Sequence, residues 1–373
     1  MEKSMPNIEL WPEVFEIEPI PSELRTLNVL ADELLPIMVN LSQTEQYKKL
    51  EKIGAAMSED NLVPEISDTL KHISLHRNAR VIAIRGPEPD DADIGKTPLE
   101  YRQPENNKIS KTEIRRGLFL GMMGVNAYGY TSQQPGNIRN DIIAIDKLKN
   151  LNGVSASPKE LDLHTEDASY NLIGAQDSAG NILPNNYNAS PDWLTLSFLR
   201  NPDNIPTFIS VPNANNISPE AREILSMPYY RNLTNPGQGG TANDADYNVS
   251  IVYSVDDSEP YYRINTSNIF TIPSAPKKAE EALREFISHL DDMSYDLPVT
   301  PGTIVVIDNL RVMHGRRAYG KNLPKYDGYD RWQQRIVATD DLDRIKPFEV
   351  SERIVDPMEL IKLAAVRRKN EVE

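Results

Sequence analysis

His164, Glu166 and His314 are the side chains whose types and spacing point most directly to chemistry. The first two stand two positions apart in His164-Thr165-Glu166. The third lies far downstream in Asp308-Asn309-Leu310-Arg311-Val312-Met313-His314-Gly315-Arg316. Two imidazoles and one carboxylate on one side of a metal leave three positions open, the facial arrangement of non-haem Fe(II) oxygenases. Taken alone, the tripeptide reads first as a solvated strand edge, so its meaning depends on the elements that deliver the three groups.

On extended chain, residues i and i+2 point to one face, which aims His164 and Glu166 together while Thr165 turns away. Leu161, Leu163 and Thr165 alternate with Asp162, His164 and Glu166, a period-two pattern. Pro301-Gly302 signals a turn, and Thr303 to Ile307 is a β-branched apolar run that reads as a buried strand. Asp308-Asn309 breaks it, and Leu310 to His314 is expected to resume extended chain, so that His314 arrives on a distant strand. The chain has five histidines; His72, His76 and His289 fall on helix-like segments and read as ordinary surface or packing residues. His72 and His76 are spaced i,i+4, but no glutamate pattern accompanies them.

Asp330-Arg331-Trp332-Gln333-Gln334-Arg335 places two guanidinium groups four residues apart on one strand face, after a Tyr326-Asp327-Gly328 turn. A guanidinium is permanently charged and binds a carboxylate through two parallel hydrogen bonds, which suits a dicarboxylate such as 2-oxoglutarate. The plainer reading is a solvated strand with Arg331 paired to Asp330.

Five blocks carry a family resemblance: Gly129 to Gly136, Glu160 to Ala168, Leu199 to Pro202, Ile307 to Ala318 and Tyr326 to Trp332. In this order they resemble the clavaminate synthase-like Fe(II)/2-oxoglutarate oxygenases, in particular the branch that hydroxylates free arginine, lysine or asparagine. The likeness spans roughly residues 80 to 340. It implies an α+β fold, a double-stranded β-helix (jelly-roll) core flanked by helices. It also implies His164, Glu166 and His314 as iron ligands, and Arg331 as the partner of the far carboxylate of 2-oxoglutarate, with Ser155 and Ser157 on the co-substrate side. Arg335 would hold the substrate α-carboxylate, Gln133 or Gln134 with Glu166 the α-amino group, and Asn265 and Asn268 the substrate side chain. The implied reaction consumes O2 and 2-oxoglutarate, releases succinate and CO2, and hydroxylates an unactivated carbon.

Departures from the family pattern bear on the substrate. Relatives acting on arginine carry two aspartates on the strand after the lid, whereas the matching stretch Arg263-Ile264-Asn265-Thr266-Ser267-Asn268-Ile269-Phe270 is neutral. Arginine is thereby put in doubt; the substrates usual in the branch that the chain resembles lead to the expectation of a basic amino acid, lysine before arginine. The same chemistry on asparagine or citrulline, or a desaturation, stands as the alternative. Asp256, Asp257 and Glu259 could pair with a substrate cation or form a solvated hairpin tip. The loop through Lys321-Asn322-Leu323-Pro324 is longer than usual, and Asn171 to Asp192 reads as an inserted surface loop. A zinc hydrolase on the same ligands and a metal-free binding barrel are the readings from other classes.

Composition agrees with an enzyme of this kind. The 373 residues are 39% hydrophobic, enough for a real core. Mean hydropathy of -0.50 and the lack of any long apolar run speak against a membrane span. A net charge of -15 disfavours nucleic acid. Without cysteine, disulfides, thiolate nucleophiles and cysteine-ligated zinc are excluded. Met1 to Leu10 carries no secretory pattern, so a cytoplasmic enzyme is expected; oligomeric state leaves no trace in the sequence.

The organisation expected is one oxygenase domain over 1-373. It comprises a helical flank over 1-80, a jelly-roll core over 81-340 and an extension over 341-373. In the flank, Leu24, Leu27, Leu34, Leu50, Ile53, Leu62, Ile66, Leu70 and Ile73 have amphipathic-helix spacing. Val81 to Ile84 reads as the first buried strand, Lys111 to Gly124 as a helix whose Leu118, Phe119, Met122 and Met123 pack in the core. Ser218-Pro219-Glu220 opens a short helix with a capping serine. Lys277 to Leu290 and Pro357 to Arg368 read as further helices. The stretch about 225-250, rich in Gly, Asn and Asp, is either a lid over the substrate or a surface loop of no catalytic meaning.

Overall fold

Strands that are apolar at every position need both of their faces covered, and this chain meets that demand with two sheets and a helical layer. A computed structural model describes residues 9-11, 14-75, 79-103, 106, 108-168, 190-233, 248-253 and 260-356. The larger sheet is built on Val81–Ile84, Ile304–Asp308, Trp193–Arg200, Trp332–Thr339 and Asn126–Tyr130, hydrogen-bonded in that order and antiparallel to one another. The smaller has four strands, Ser294–Leu297, Thr207–Ser210, Met313–Arg316 and Leu161–His164.

Alternation assigns the faces. Ile82, Ile84, Ile304, Val306, Ile336 and Ala338 pack on the helices, whereas Val81, Ala83, Val305, Ile307, Leu194, Leu196, Phe198 and Val337 turn inward. There they meet Ile209, Leu297 and Val312, so the interior between the sheets is filled. The outer face of the smaller sheet, with Leu163, Phe208 and Met313, is covered by the helices Pro219–Leu225 and Lys277–Asp292. The result is the jelly-roll core flanked by helices that the sequence implied.

The flank consists of Pro21–Met38, Gln43–Glu59 and Pro64–Ser74. Ser42 and Glu45 form a reciprocal capping box at the second of these, as Ser110 and Glu113 do for Lys111–Met123. The last helix, buried along its whole length, crosses Gln43–Glu59 at glycines. A Cβ on Gly54 would sit 2.0 Å from the Leu118 carbonyl oxygen, and one on Gly121 2.1 Å from that of Glu51. The helices can approach so closely only because those side chains are absent.

Some expectations change. Leu62 is 52% exposed because it falls in the turn after Glu59 rather than on a helix face. Extended chain resumes at Met313, not Leu310, since Arg311 and Val312 donate their N–H groups back to the Asp308 carbonyl in a turn. Ser218 does cap Pro219–Leu225. His76, Asp256, Asp257, Glu259, most of 171-192, the centre of the 225-250 stretch and 357-368 lie outside the described residues.

Candidate active site

His314 and His164 are Cα partners across two antiparallel strands of the smaller sheet, and their ring centroids stand 4.3 Å apart. Glu166 lies just past the end of Leu161–His164, in a turn, so strand periodicity brings it only to the edge of the site. Asn309 completes its placement. Its Oδ1 accepts the Glu166 N–H at 2.7 Å, while Nδ2 donates to the carbonyls of Pro191 at 2.9 Å and Glu166 at 3.3 Å. With this clamp, one ligand atom from each of His164, Glu166 and His314 falls within 4.8 Å of the others, and all three residues are buried.

The donor set fits a divalent cation. Glu166 Oε2 is buried without a hydrogen-bond partner and lies 3.6 Å from His314 Nε2, leaving it an acceptor with nothing to accept. His164 Nδ1 sits 2.8 Å from the Asp162 carbonyl oxygen, which fixes the ring and leaves Nε2 for a metal. Burial, with His314 close by, pulls His164 down to about 4, so the imidazole is neutral as a ligand must be. Burial opposes charge on Glu166 too, but Arg335 and the two histidines outweigh it and hold the carboxyl well below its usual range.

Beside the triad, Arg335 bonds Glu166 Oε1 through Nη1 and donates through Nη2 to Gln133 Oε1 at 2.5 Å. Gln133 Nε2 in turn donates to Asp167 Oδ1 at 2.6 Å. Asp167 has φ +56, a left-handed conformation that aspartate tolerates better than most side chains. Its other oxygen, Oδ2, is buried and unpartnered. Burial and the neighbouring Glu166 push its carboxyl upward, against Arg335 and Gln133.

Arg331 is 1% exposed. Nη2 donates to Gln333 Oε1 at 2.8 Å and to Thr207 Oγ1 at 3.5 Å, while Nε and Nη1 have no partner. No carboxylate among the described residues pairs with it: Asp330 instead accepts the N–H groups of Lys325 and Tyr326, each at 2.7 Å. The solvated Asp330–Arg331 pair is thus not what forms. An uncompensated guanidinium at this depth calls for an anion, and Thr207 and Gln333, which it touches, line the cavity that holds the triad. Burial lowers the pKa of both Arg331 and nearby Arg316.

The expected site residues are not equally well placed. Gln133, Gln134, Ser155, Asn265 and Arg335 line the cavity with the three ligands. Both ends of the Gln134 amide, however, are spent on the Asp141 backbone. Ser157 is set back from the wall because its hydroxyl bonds the Lys149 carbonyl and the Lys159 N–H to close a turn. Asn268 is also off the wall, one turn beyond Asn265, to whose carbonyl it donates. Sequence reasoning missed Asp167, Asn309, Tyr101 and Arg316. Asp167 and Asn309 lay inside the quoted blocks, and only their hydrogen bonds reveal what they do.

Residues 219-337 match the family model "Taurine catabolism dioxygenase TauD, TfdA family", a segment holding His314, Arg331 and Arg335 but not the H-x-E pair. The likeness beyond that segment is carried by whole relatives. An enduracididine beta-hydroxylase from Streptomyces hygroscopicus is 25% identical over 345 residues, 86% of this chain and 93% of the relative. The chain is thus similar to the TauD/TfdA dioxygenases over that segment and to a named hydroxylase over most of its length. An L-ornithine/L-arginine 3-hydroxylase from Catenulispora acidiphila is 24% identical over 309 residues, covering 79% of this chain and 86% of its own. Among solved structures, the non-heme iron oxygenase OrfP, in complex with Fe, succinate and (3S)-hydroxy-L-Arg, superposes with a TM-score of 0.76 at 22% identity. It covers 91% of this chain and 99% of its own. An asparagine oxygenase complexed with Fe(II), 2S,3S-3-hydroxyasparagine and succinate gives 0.72 at 18% identity over the same shares. These two likenesses establish the fold. No helix of the described residues is long and apolar enough to cross a membrane.

Proposed function

We propose that this chain is an Fe(II)/2-oxoglutarate-dependent dioxygenase that hydroxylates an unactivated carbon of a free L-amino acid. The observation that carries the reading is the convergence of His164, Glu166 and His314 within 4.8 Å in a cavity flanked by buried arginines. Iron with 2-oxoglutarate, when bound, supplies the O2-dependent oxidation, with one oxygen atom passing to succinate and the other to the substrate.

The protein's part is placement and exclusion of water. His164, Glu166 and His314 would hold the metal from one side, and Arg331 would take the far carboxylate of the co-substrate in its unused Nε and Nη1 directions. Arg335, bonded to Glu166 Oε1 while Oε2 faces His314, would take a substrate carboxylate. The apolar Ile142, Val154 and Leu196 in the cavity wall keep the reacting carbon dry.

For the substrate, relatives named for enduracididine and for ornithine or arginine are matched over most of their lengths. One named for lysine is 23% identical over 59% of its own. Lysine is therefore not preferred to arginine, and the class supported is a free amino acid with a polar or basic side chain. Asparagine and citrulline stay within it, as does desaturation of the same substrate.

The test is enzyme reconstituted anaerobically with Fe(II) and 2-oxoglutarate, then exposed to air with each proteinogenic amino acid, ornithine and citrulline. Succinate together with one amino acid heavier by an oxygen atom is expected. Turnover of a substrate by the zinc form, without O2 or 2-oxoglutarate, would replace this reading by a hydrolase.

A further inference from the structure

Glu166 faces two ways. Its Oε1 is bonded to Arg335 Nη1, and its Oε2, without a hydrogen-bond partner, lies 3.6 Å from His314 Nε2. A cation held by His164, Glu166 and His314 would therefore share one carboxylate with a guanidinium. Both charges are positive, and the three ligand residues are buried, so water does little to screen one from the other. Arg335 cannot shed its charge, and Glu166 is its one ion-pair partner among the described residues. Its Nη2 donates to Gln133 Oε1 at 2.5 Å, its Nε is buried without a partner, and Asp167 is held off across the Gln133 amide. In this arrangement the guanidinium opposes a divalent cation until another anion takes its fork.

From this geometry we propose that Arg335 is a charge gate on the metal site, holding divalent-cation affinity down in the empty protein and releasing it when a substrate carboxylate binds. The identity of that anion rests on the free amino acid reading above; the coupling itself rests on the carboxylate that Arg335 shares with the metal site. A carboxylate drawn onto Arg335 offsets its charge and loosens its hold on Glu166 Oε1, leaving Glu166 a stronger ligand. Coupling of this kind is reciprocal, so the cation must raise carboxylate affinity by the same factor. The cavity then keeps its metal most firmly when an acid is in place, and an empty cavity holds it weakly.

Mn(II) titration by calorimetry on the full chain near neutral pH reads this without turnover. Arg335→Gln keeps a polar side chain and removes the charge; it should bind Mn(II) about tenfold more tightly than wild type, inside the range of about 5- to 150-fold usual for coupled sites. Arg335→Lys restores the charge and should return the affinity toward the wild-type value. Damage to the fold would weaken Mn(II) in both variants, so a gain in one reversed in the other reports charge and not structure. Equal or weaker Mn(II) binding by Arg335→Gln overturns the proposal, as does an Arg335→Lys protein that binds as tightly as Arg335→Gln. On wild type, Mn(II) affinity is then measured with saturating L-arginine, L-lysine, L-ornithine or L-asparagine, and with the α-carboxamide of each, corrected for the Mn(II) each probe chelates in buffer. At least one free acid should tighten Mn(II) about tenfold while its carboxamide does not. An acid that binds yet leaves Mn(II) affinity unchanged overturns the gate and leaves the amino acid reading intact. If none of the four acids binds with or without Mn(II), the amino acid reading fails and the substrate's part in the gate fails with it, whatever Arg335→Gln shows.

Discussion

Asn309 holds the backbone of Glu166 at both of its polar groups, accepting the N–H at 2.7 Å and donating to the carbonyl at 3.3 Å, across 143 residues of chain. The turn that interrupts the strand before His314 thus sets the carboxylate that must meet that histidine. Replacing Asn309 by Ala leaves buried polar groups of Glu166 and Pro191 unpaired, at a cost of about 1–3 kcal/mol. Freed from its clamp, Glu166 should also lower divalent metal affinity by about tenfold or more. Urea unfolding and a Mn(II) titration read the two effects separately.

Arg331 should govern co-substrate affinity. Its buried fork has no carboxylate partner among the described residues, so Arg331→Gln is expected to weaken 2-oxoglutarate binding by about a hundredfold. Arg331→Lys should recover only part of that, because an ammonium cannot make the paired contact. Calorimetry with Mn(II)-loaded protein gives both values, and near-equal affinity in all three proteins would remove Arg331 from the co-substrate site.

Metal should stabilise the fold measurably. A ligand set that converges only in the native chain adds free energy in proportion to ln(1 + [L]/Kd), about 2.7 kcal/mol at a hundredfold excess over Kd. Thermal unfolding with and without EDTA should show this shift. His314→Ala, which removes a ligand, should show almost none.

Glu51 gives a pH signature of stability remote from the site. It accepts from the Ala127 N–H at 2.8 Å and from Arg353 at 2.7 Å. Burial, opposed by Arg353, raises its carboxyl from 4.5 to about 7. The folded state therefore retains a proton that the unfolded chain has lost, and the contribution of Glu51 is greatest below about 4.5 and declines as pH rises to 7. Glu51→Gln should remove this slope, a relative change of order 3 kcal/mol between pH 4.5 and 7. Denaturant titrations of both proteins across that range would display it.

Much of the molecule was legible in the chain. Period two from Leu161, the β-branched run Thr303 to Ile307 and the capping Ser218 are local signals, and the two strands and the helix they imply form, the first ending at His164 rather than Glu166. The ligand set could be named because the types and spacing of His164, Glu166 and His314 agree with the order of the blocks that carry the family resemblance. What sequence left open was decided by contacts between segments far apart in the chain. Hydrogen-bond capacity is one such matter: Gln134 and Ser157 carry suitable groups, yet each is consumed by backbone that folding brings beside it. Depth is another, since Arg331 gains its meaning from burial without an anion, and neither burial nor the missing partner is written in Asp330-Arg331. Asp167 is the clearest case. In the sequence it is one acid after another, and only the tertiary structure joins it through Gln133 to Arg335 and buries its Oδ2 without a partner.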